Sequence, residues 1–117
     1  MRIDSMKKMI RENPEGFMRW TKSRRGRNYL RIFRAEDSEV TVAIFAHATS
    51  FRLAGTNIKT TLFAKNGDRE MGKNFDPPLG KFTQPEEIFR AIPKDFASDE
   101  TMGKIEEFIS NTINGIY

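Results

Sequence analysis

At 117 residues, the chain has the length of one domain with its own hydrophobic core. Hydrophobic residues make up 38% of it and charged residues 31%, which is typical of a globular protein and excludes a chain that is disordered throughout. The absence of cysteine excludes disulfides, thiolate nucleophiles and cysteine-ligated metals, and it suits a reducing compartment. The longest apolar-leaning run, residues 40–48, is too short to span a bilayer. We therefore expect a cytoplasmic protein, or a nuclear one if the source is eukaryotic, that does not associate with membranes.

The net charge of +4 is distributed unevenly along the chain. Residues 1–34 carry eleven Lys and Arg against three Asp and Glu, whereas residues 71–117 carry five against eight. If the fold keeps these segments on different surfaces, the molecule is electrostatically polarised. The basic segment then favours an anionic partner.

The first predicted element is a helix over residues 3–12, which Pro14 and Gly16 end. Its apolar stripe consists of Ile3, Met6, Met9 and Ile10. Alternating side-chain character then predicts antiparallel strands at residues 17–22, 28–34, 39–46, 49–54, 58–64 and 68–74. Asn66-Gly67 is the clearest hairpin signal, and we expect a type I′ turn with these two residues at its centre.

The connection between strands 28–34 and 39–46 decides which side chains share a face of the sheet. In the first of these strands, Leu30 and Ile32 alternate with Tyr29, Arg31 and Phe33. A slip of one residue in the strand pairing exchanges the sheet faces on which these two sets of side chains lie. If Arg34 lies opposite Val40, the first set joins the valines of the next strand; if Arg34 lies opposite Glu39, the second set does. We predict the first register because it keeps Arg31 out of the core.

Two helices are predicted at the C-terminal end. Residues 83–86 have the spacing of a capping box with proline in the first turn, which predicts a helix to about Ala91. Ser98 or Asp99 caps the last helix. The apolar stripe of that helix comprises Met102, Ile105, Phe108, Ile109 and Ile113. The sequence thus predicts one α+β domain with an N-terminal helix, about five antiparallel strands in a meander, and two C-terminal helices packed on one sheet face.

The segment 22-KSRRGRNYLRIFR-34 is the most informative for function, because it places six positive charges in thirteen residues. Under the predicted register, its aromatic and basic residues share the outer sheet face with those of the next strand. Proteins that bind single-stranded nucleic acid stack rings on bases and place cations on phosphates. The predicted binding site comprises Lys22, Arg24, Arg25, Arg27, Tyr29, Arg31, Phe33, Phe45 and His47. The alternative is that helices cover this face, so that the rings are core and the arginines lie at its rim.

The run 24-RRGRNYLRI-32 resembles the basic turn and strand of PUR repeats, a family that binds single-stranded nucleic acid. In that family, an Arg-Gly-Arg-aromatic-Leu-Arg-Ile run opens a curved antiparallel sheet that is followed by a helix. The resemblance covers nine residues, and Asn28 is inserted before the aromatic residue. The extra N-terminal helix and the two C-terminal helices also depart from the family pattern, so no family assignment follows.

His47 is the only histidine of the chain. With Glu39 as a carboxylate base and Arg31 or Arg52 nearby, it has the minimum chemistry for metal-free cleavage of RNA. A sheet histidine beside aromatic residues is usually structural, and nothing in the spacing enforces catalysis, so we do not expect an enzyme. One histidine and scattered carboxylates also form no ligand set, and we expect neither a metal nor a cofactor.

Two functions from different classes follow from these observations. The first is a nucleic-acid-binding module of weak sequence preference, single-strand or RNA specific. The second is a protein-interaction or inhibitor module whose basic face docks on an acidic surface of a larger complex, since the same long-range field attracts both partners. The sequence alone identifies neither the partner nor the oligomeric state.

Overall fold

The fold is α+β, with helices on both faces of one antiparallel sheet. The computed structural model describes residues 3–12, 17–23, 26–36, 38–51, 55–78 and 80–116. Its elements are α1 (Ile3–Glu12), β1 (Phe17–Ser23), β2 (Gly26–Arg34), β3 (Val40–Phe51), β4 (Gly55–Asn66), β5 (Arg69–Phe75), α2 (Pro85–Arg90) and α3 (Asp99–Ile116). The predicted α+β class is therefore confirmed.

The strands form a meander in the order β1-β2-β3-β4-β5, with each strand antiparallel to its neighbour. The prediction of separate strands at 39–46 and 49–54 is wrong, because residues 40–51 form the single strand β3, and residues 52–54 lie outside the described residues. Its pairing with β4 continues without a break from Val40 opposite Asn66 to Phe51 opposite Gly55. Alternation persists through His47 and Thr49, so no change of face interrupts the strand there.

The main core lies between one sheet face and the helices α2 and α3; we call this the helix face of the sheet. The stripe of α3 predicted from its periodicity is buried throughout, which confirms that prediction. It packs against the inward side chains of β3 and β4, which are Val40, Val42, Ile44, Leu62 and Ala64. Ser98 begins the helix, since its Oγ accepts a hydrogen bond from the Thr101 backbone N–H at 3.2 Å.

Helix α1 packs on the opposite sheet face, which we call the α1 face. Met6 is fully buried there against Leu30, Ala43 and Phe63. Gly72 makes room for this helix, because a Cβ at that position would collide with the Ile3 side chain. The sheet is thus apolar on both faces along part of its length.

The predicted register of β2 against β3 is wrong. Arg34 lies opposite Thr41, which places Tyr29, Arg31 and Phe33 on the helix face. Burial does not exclude Arg31 from this face, because its half-buried side chain carries the guanidinium over the Phe108 ring, 5.8 Å from the centroid. The other set of β2 side chains finds an apolar partner in α1 instead.

Two local predictions also need correction. The hairpin between β4 and β5 pairs Asn66 with Arg69, so its central residues are Gly67 and Asp68. Gly67 has φ +60° and Asp68 a negative φ, which is the type II′ pattern and not type I′. The predicted capping box does not form either, because Gln84 is the N-cap of α2 and makes no side-chain capping bond.

Candidate nucleic-acid interface

Residues 22–27 join β1 to β2 and carry four of the predicted cationic residues; we call them the basic hairpin, and they lie partly beyond the described residues. Arg24 and Arg25 are outside them, and so are the side chains of Lys22 and Arg27. The backbone of the hairpin is described on both sides, with Lys22 opposite Arg27 and Ser23 opposite Gly26. This places the sequence Arg24-Arg25 between the last paired residues of β1 and β2.

Three of the predicted site residues belong to the main packing on the helix face. Tyr29 is buried with Ala46 and Ile58. Phe33 packs against Phe108, with the ring centroids 5.6 Å apart. With Arg31 over that same ring, these side chains form part of the core and its rim. The predicted exposed face that joins them to Phe45 and His47 is therefore wrong, and the alternative in which helices cover these rings describes them correctly.

Phe45 and His47 lie on the α1 face, where the half-buried Phe45 packs against the apolar cluster under α1. There they line a shallow cavity of about 280 Å³, which we call the polar pocket. Its lining residues are Asn28, Phe45, His47, Lys59 and Thr61. Cross-strand pairing brings them together, since His47 lies opposite both Asn28 on β2 and Lys59 on β4, and Phe45 lies opposite Thr61.

Two hydrogen bonds fix the imidazole ring in the polar pocket. Nδ1 of His47 lies 2.5 Å from Oδ1 of Asn28, and Nε2 lies 3.0 Å from Oγ1 of Thr49. An amide oxygen only accepts hydrogen bonds, so Nδ1 donates to it. In the neutral ring, Nε2 then accepts from the Thr49 hydroxyl, which leaves the edge of the imidazole bonded at both nitrogens.

The other two polar residues of the pocket offer a charge and a hydroxyl. The Lys59 side chain is 58% exposed, and its Nζ lies 3.6 Å from a carboxylate oxygen of Asp76. An exposed pair at this distance is weak and leaves the ammonium accessible to a ligand. The Thr61 hydroxyl donates to Oδ1 of Asn74 at 2.8 Å, which extends the polar surface towards β5.

Sequence reasoning found Phe45 and His47 but missed Asn28, Lys59 and Thr61. Their assembly depends on the register, because only pairing of Arg34 with Thr41 carries Asn28 opposite His47. One signal was present in the sequence: positions 57, 59 and 61 alternate as Asn, Lys and Thr, which marks one side of β4 as polar.

The hypothetical ribonuclease constellation is not assembled among the described residues. Glu39 and His47 are eight residues apart along an extended chain, a separation of about 26 Å at 3.3 Å per residue. Arg31 lies on the other face of the sheet, and Arg52 lies outside the described residues. Within the described part of the chain, no three potential metal ligands converge.

No protein-family model, curated protein or solved structure matches this chain. None of the described helices combines the length and the apolar character that crossing a membrane requires. Function is therefore inferred from the side chains of the polar pocket and the charge around it.

Proposed function

We infer that the protein binds single-stranded nucleic acid on the α1 face, with the polar pocket taking a base and the basic hairpin contacting phosphates. The observation that carries this proposal is the pocket itself, where an aromatic ring, an imidazole, an amide, a hydroxyl and an ammonium group line one open cavity. Absence of cysteine suits the cytoplasm as the place where this happens.

The chemistry of these groups matches that of a nucleotide. The half-buried Phe45 offers a surface on which a base can stack, and amide and hydroxyl groups hydrogen-bond to base edges. Lys59 supplies a charge for the adjoining phosphate. A pocket that recognises only one base at a time favours weak sequence preference.

The position of the pocket in the sheet supports the use of both features by one ligand. Asn28 lies two residues after Gly26, which closes the hairpin that carries Arg24 and Arg25 in its sequence. The pocket and the hairpin are therefore neighbours at one end of the sheet. A strand of nucleic acid that crosses this end meets both.

The competing proposal is that the basic hairpin docks on an acidic protein surface. It accounts for the charge but gives no role to the aromatic and hydrogen-bonding groups of the pocket. Salt dependence distinguishes the two, because counterion release from a single strand lowers log K by about 0.7 per phosphate for each unit of log salt, and a protein partner gives a shallower slope.

The experiment is a fluorescence-polarisation titration of a labelled single-stranded oligonucleotide at three salt concentrations. Phe45→Leu keeps an apolar side chain against α1 but removes the ring, and we expect about tenfold weaker binding with an unchanged salt slope. Lys59→Gln should reduce the slope by about 0.7, since one phosphate contact is lost.

Matched controls lie elsewhere on the molecule. Lys65 is an exposed lysine on the same strand and the same face as Lys59, at the opposite end of β4. Phe82 is 46% exposed and does not line the pocket. Lys65→Gln and Phe82→Leu should bind as the wild type does. Equal losses in the control and pocket variants, or no binding by the wild type at low salt, would overturn the proposal.

The arginines of the hairpin give a second test. We expect the triple variant Arg24→Ala, Arg25→Ala and Arg27→Ala to lose most of its affinity and to flatten the salt slope by up to about 2, because up to three phosphate contacts disappear. Its melting temperature should stay close to that of the wild type, since charged side chains at the end of a hairpin usually contribute little to stability. Unfolding of this variant would show that the arginines are structural.

A further inference from the structure

A groove runs between helices α2 and α3, on the side of the sheet opposite the polar pocket. Its volume is about 830 Å³, and Phe89, Ile92 and Met102 form an apolar floor. Ile92 and Met102 are buried, while Phe89 is half-buried and presents part of its ring to the groove. The groove is independent of the nucleic-acid site, because no residue lines both.

The charge along the groove is predominantly negative. Glu86 and Asp99 stand at the N-terminal turns of the two helices, and Glu106 and Glu107 continue the rim along α3. The cations of the lining are Arg90 and Lys94, both on the α2 side. The α3 wall is thus acidic beside an apolar floor.

Gly103 keeps the α3 wall open. It lies inside an 18-residue helix, where glycine is less favourable than alanine. Among the described atoms, a Cβ at this position meets nothing within 4 Å, so a side chain there would project into the free volume of the groove. Packing of this domain therefore does not require glycine at this position.

The segment between α2 and α3 is anchored to the sheet, so the groove is preformed. Asn66 donates from Nδ2 to the Phe96 carbonyl oxygen at 2.8 Å. Arg69 donates to the Asp95 backbone carbonyl at 3.2 Å and to its carboxylate at 3.0 Å. The hydrogen bond from Arg69 to the Asp95 carboxylate and the positive charge of Arg69 hold the pKa of Asp95 below its ordinary value. A preformed groove binds a ligand with little cost of reorganisation.

We propose that this groove binds a basic amphipathic segment of a partner protein. An apolar side chain of the segment fills the space over Met102 and Gly103, and its Lys or Arg residues pair with Glu106 and Glu107. The occupant follows from charge complementarity, because an acidic rim beside an apolar floor selects cationic residues interleaved with apolar ones. An acidic segment meets like charges along the α3 wall.

The test uses two synthetic amphipathic peptides, one built of Lys and Leu and the other of Glu and Leu, in a fluorescence-polarisation titration of the whole chain. The Lys/Leu peptide should bind at least tenfold more tightly than its Glu/Leu counterpart. Gly103→Leu should weaken this binding at least tenfold by filling the groove, while its melting temperature stays at or above that of the wild type. Gly115→Leu is the matched control, since Gly115 also has an open Cβ position in α3 but does not line the groove.

A charge-reversed pair provides the second arm and stands even if Gly103→Leu fails to fold. Glu106→Lys combined with Glu107→Lys should weaken Lys/Leu binding at least tenfold. Glu100→Lys is its control, because Glu100 lies on α3 outside the groove lining. Its Oε1 lies 3.8 Å from Nζ of Lys104. Equal binding of the two peptides, or unchanged binding by the charge-reversed pair, overturns the proposal. A dimer in sedimentation equilibrium that Gly103→Leu dissociates overturns it as well, because the occupant is then a second copy of this chain.

Discussion

Two threonine hydroxyls in the core make no hydrogen bond with any described residue. Thr60 on β4 and Thr112 on α3 are 1% and 0% exposed, and both Oγ1 atoms lie buried. A buried hydroxyl without a partner costs about 1–3 kcal/mol relative to its hydrated state in the unfolded chain. These two positions therefore reduce the stability of the domain.

We expect Thr112→Val to raise the free energy of unfolding by about 1 kcal/mol, because valine has nearly the same shape and no group to desolvate. Urea denaturation of the two proteins measures this difference. The control is Thr61→Val, which leaves Oδ1 of Asn74 without its donor and should lower the free energy of unfolding by about 1 kcal/mol. A loss of stability in Thr112→Val that equals the loss in the control contradicts the interpretation.

At the scale of elements, an ion pair connects α1 to the edge strand β5. Nζ of Lys7 lies 2.6 Å from a carboxylate oxygen of Glu70. The hydrogen bond between them raises the pKa of Lys7 above 10.5 and lowers the pKa of Glu70 below 4.5. Both groups are exposed enough for solvent to weaken the pair, so its contribution to stability is small but depends on pH.

The directions of the two pKa shifts determine how the stabilisation by this ion pair changes with pH. Since the folded pKa of Glu70 is lowered, its contribution is complete above pH 4.5 and is lost as the pH falls through the lowered value. Since the pKa of Lys7 is raised, its contribution is complete below pH 10.5 and is lost as the pH rises through the raised value. The pair stabilises the docking of α1 between these limits.

We predict that Glu70→Gln is less stable than the wild type at neutral pH and that the difference closes as the pH falls below 4.5. Urea denaturation over this pH range measures it. The same substitution in a Lys7→Met background should show no such pH-dependent difference, because the partner is gone. A difference that grows on acidification is incompatible with this pairing.

The packing of β2 under α3 gives a further prediction at this scale. Tyr29 is buried on the helix face, so Tyr29→Ala should lower the free energy of unfolding by about 3 kcal/mol. Binding of the oligonucleotide per folded molecule should not change, since this ring lies on the other side of the sheet from the polar pocket. A weaker oligonucleotide affinity without a loss of stability would contradict this prediction and show that Tyr29 belongs to the binding site.

The helices were predictable from the sequence because their signals are local. The stripe of α3 repeats at helical spacing, and Ser98 precedes it as a cap. The faces of β2 were not predictable in this way, because each set of its alternating side chains finds an apolar layer, one under α3 and the other under α1. The predicted register was chosen to keep Arg31 out of the core, but this long cationic side chain reaches the rim of the core over an aromatic ring.

The candidate site was predictable only in part for the same reason. Phe45 and His47 stand out by residue type, but Asn28 and Lys59 join them through cross-strand pairing. The register differs from the predicted one by a single residue, with Arg34 opposite Thr41 and not Val40, and this slip decides which of these residues meet. Side chains assembled across three strands are therefore visible in the sequence only once the register is known.

At the scale of the whole molecule, the polar pocket and the acidic groove form two separate surfaces of different chemistry. The basic hairpin and the polar pocket lie at one end of the sheet, and the acidic groove lies on helices that pack against the other face. The molecule is elongated, with principal extents of 46, 28 and 20 Å. The two proposed ligands, one anionic and one cationic, would therefore bind separate surfaces of one small domain.

The most direct measurement is an NMR titration of the isotope-labelled protein with a single-stranded oligonucleotide at low salt. The account predicts that the backbone amide shifts are concentrated at Asn28, His47 and Lys59 and at the assigned residues of the hairpin between β1 and β2. The amides of α2 and α3 should move little. Shifts concentrated on α3, or no shifts at a concentration of oligonucleotide that saturates a micromolar site, would contradict the proposed nucleic-acid interface.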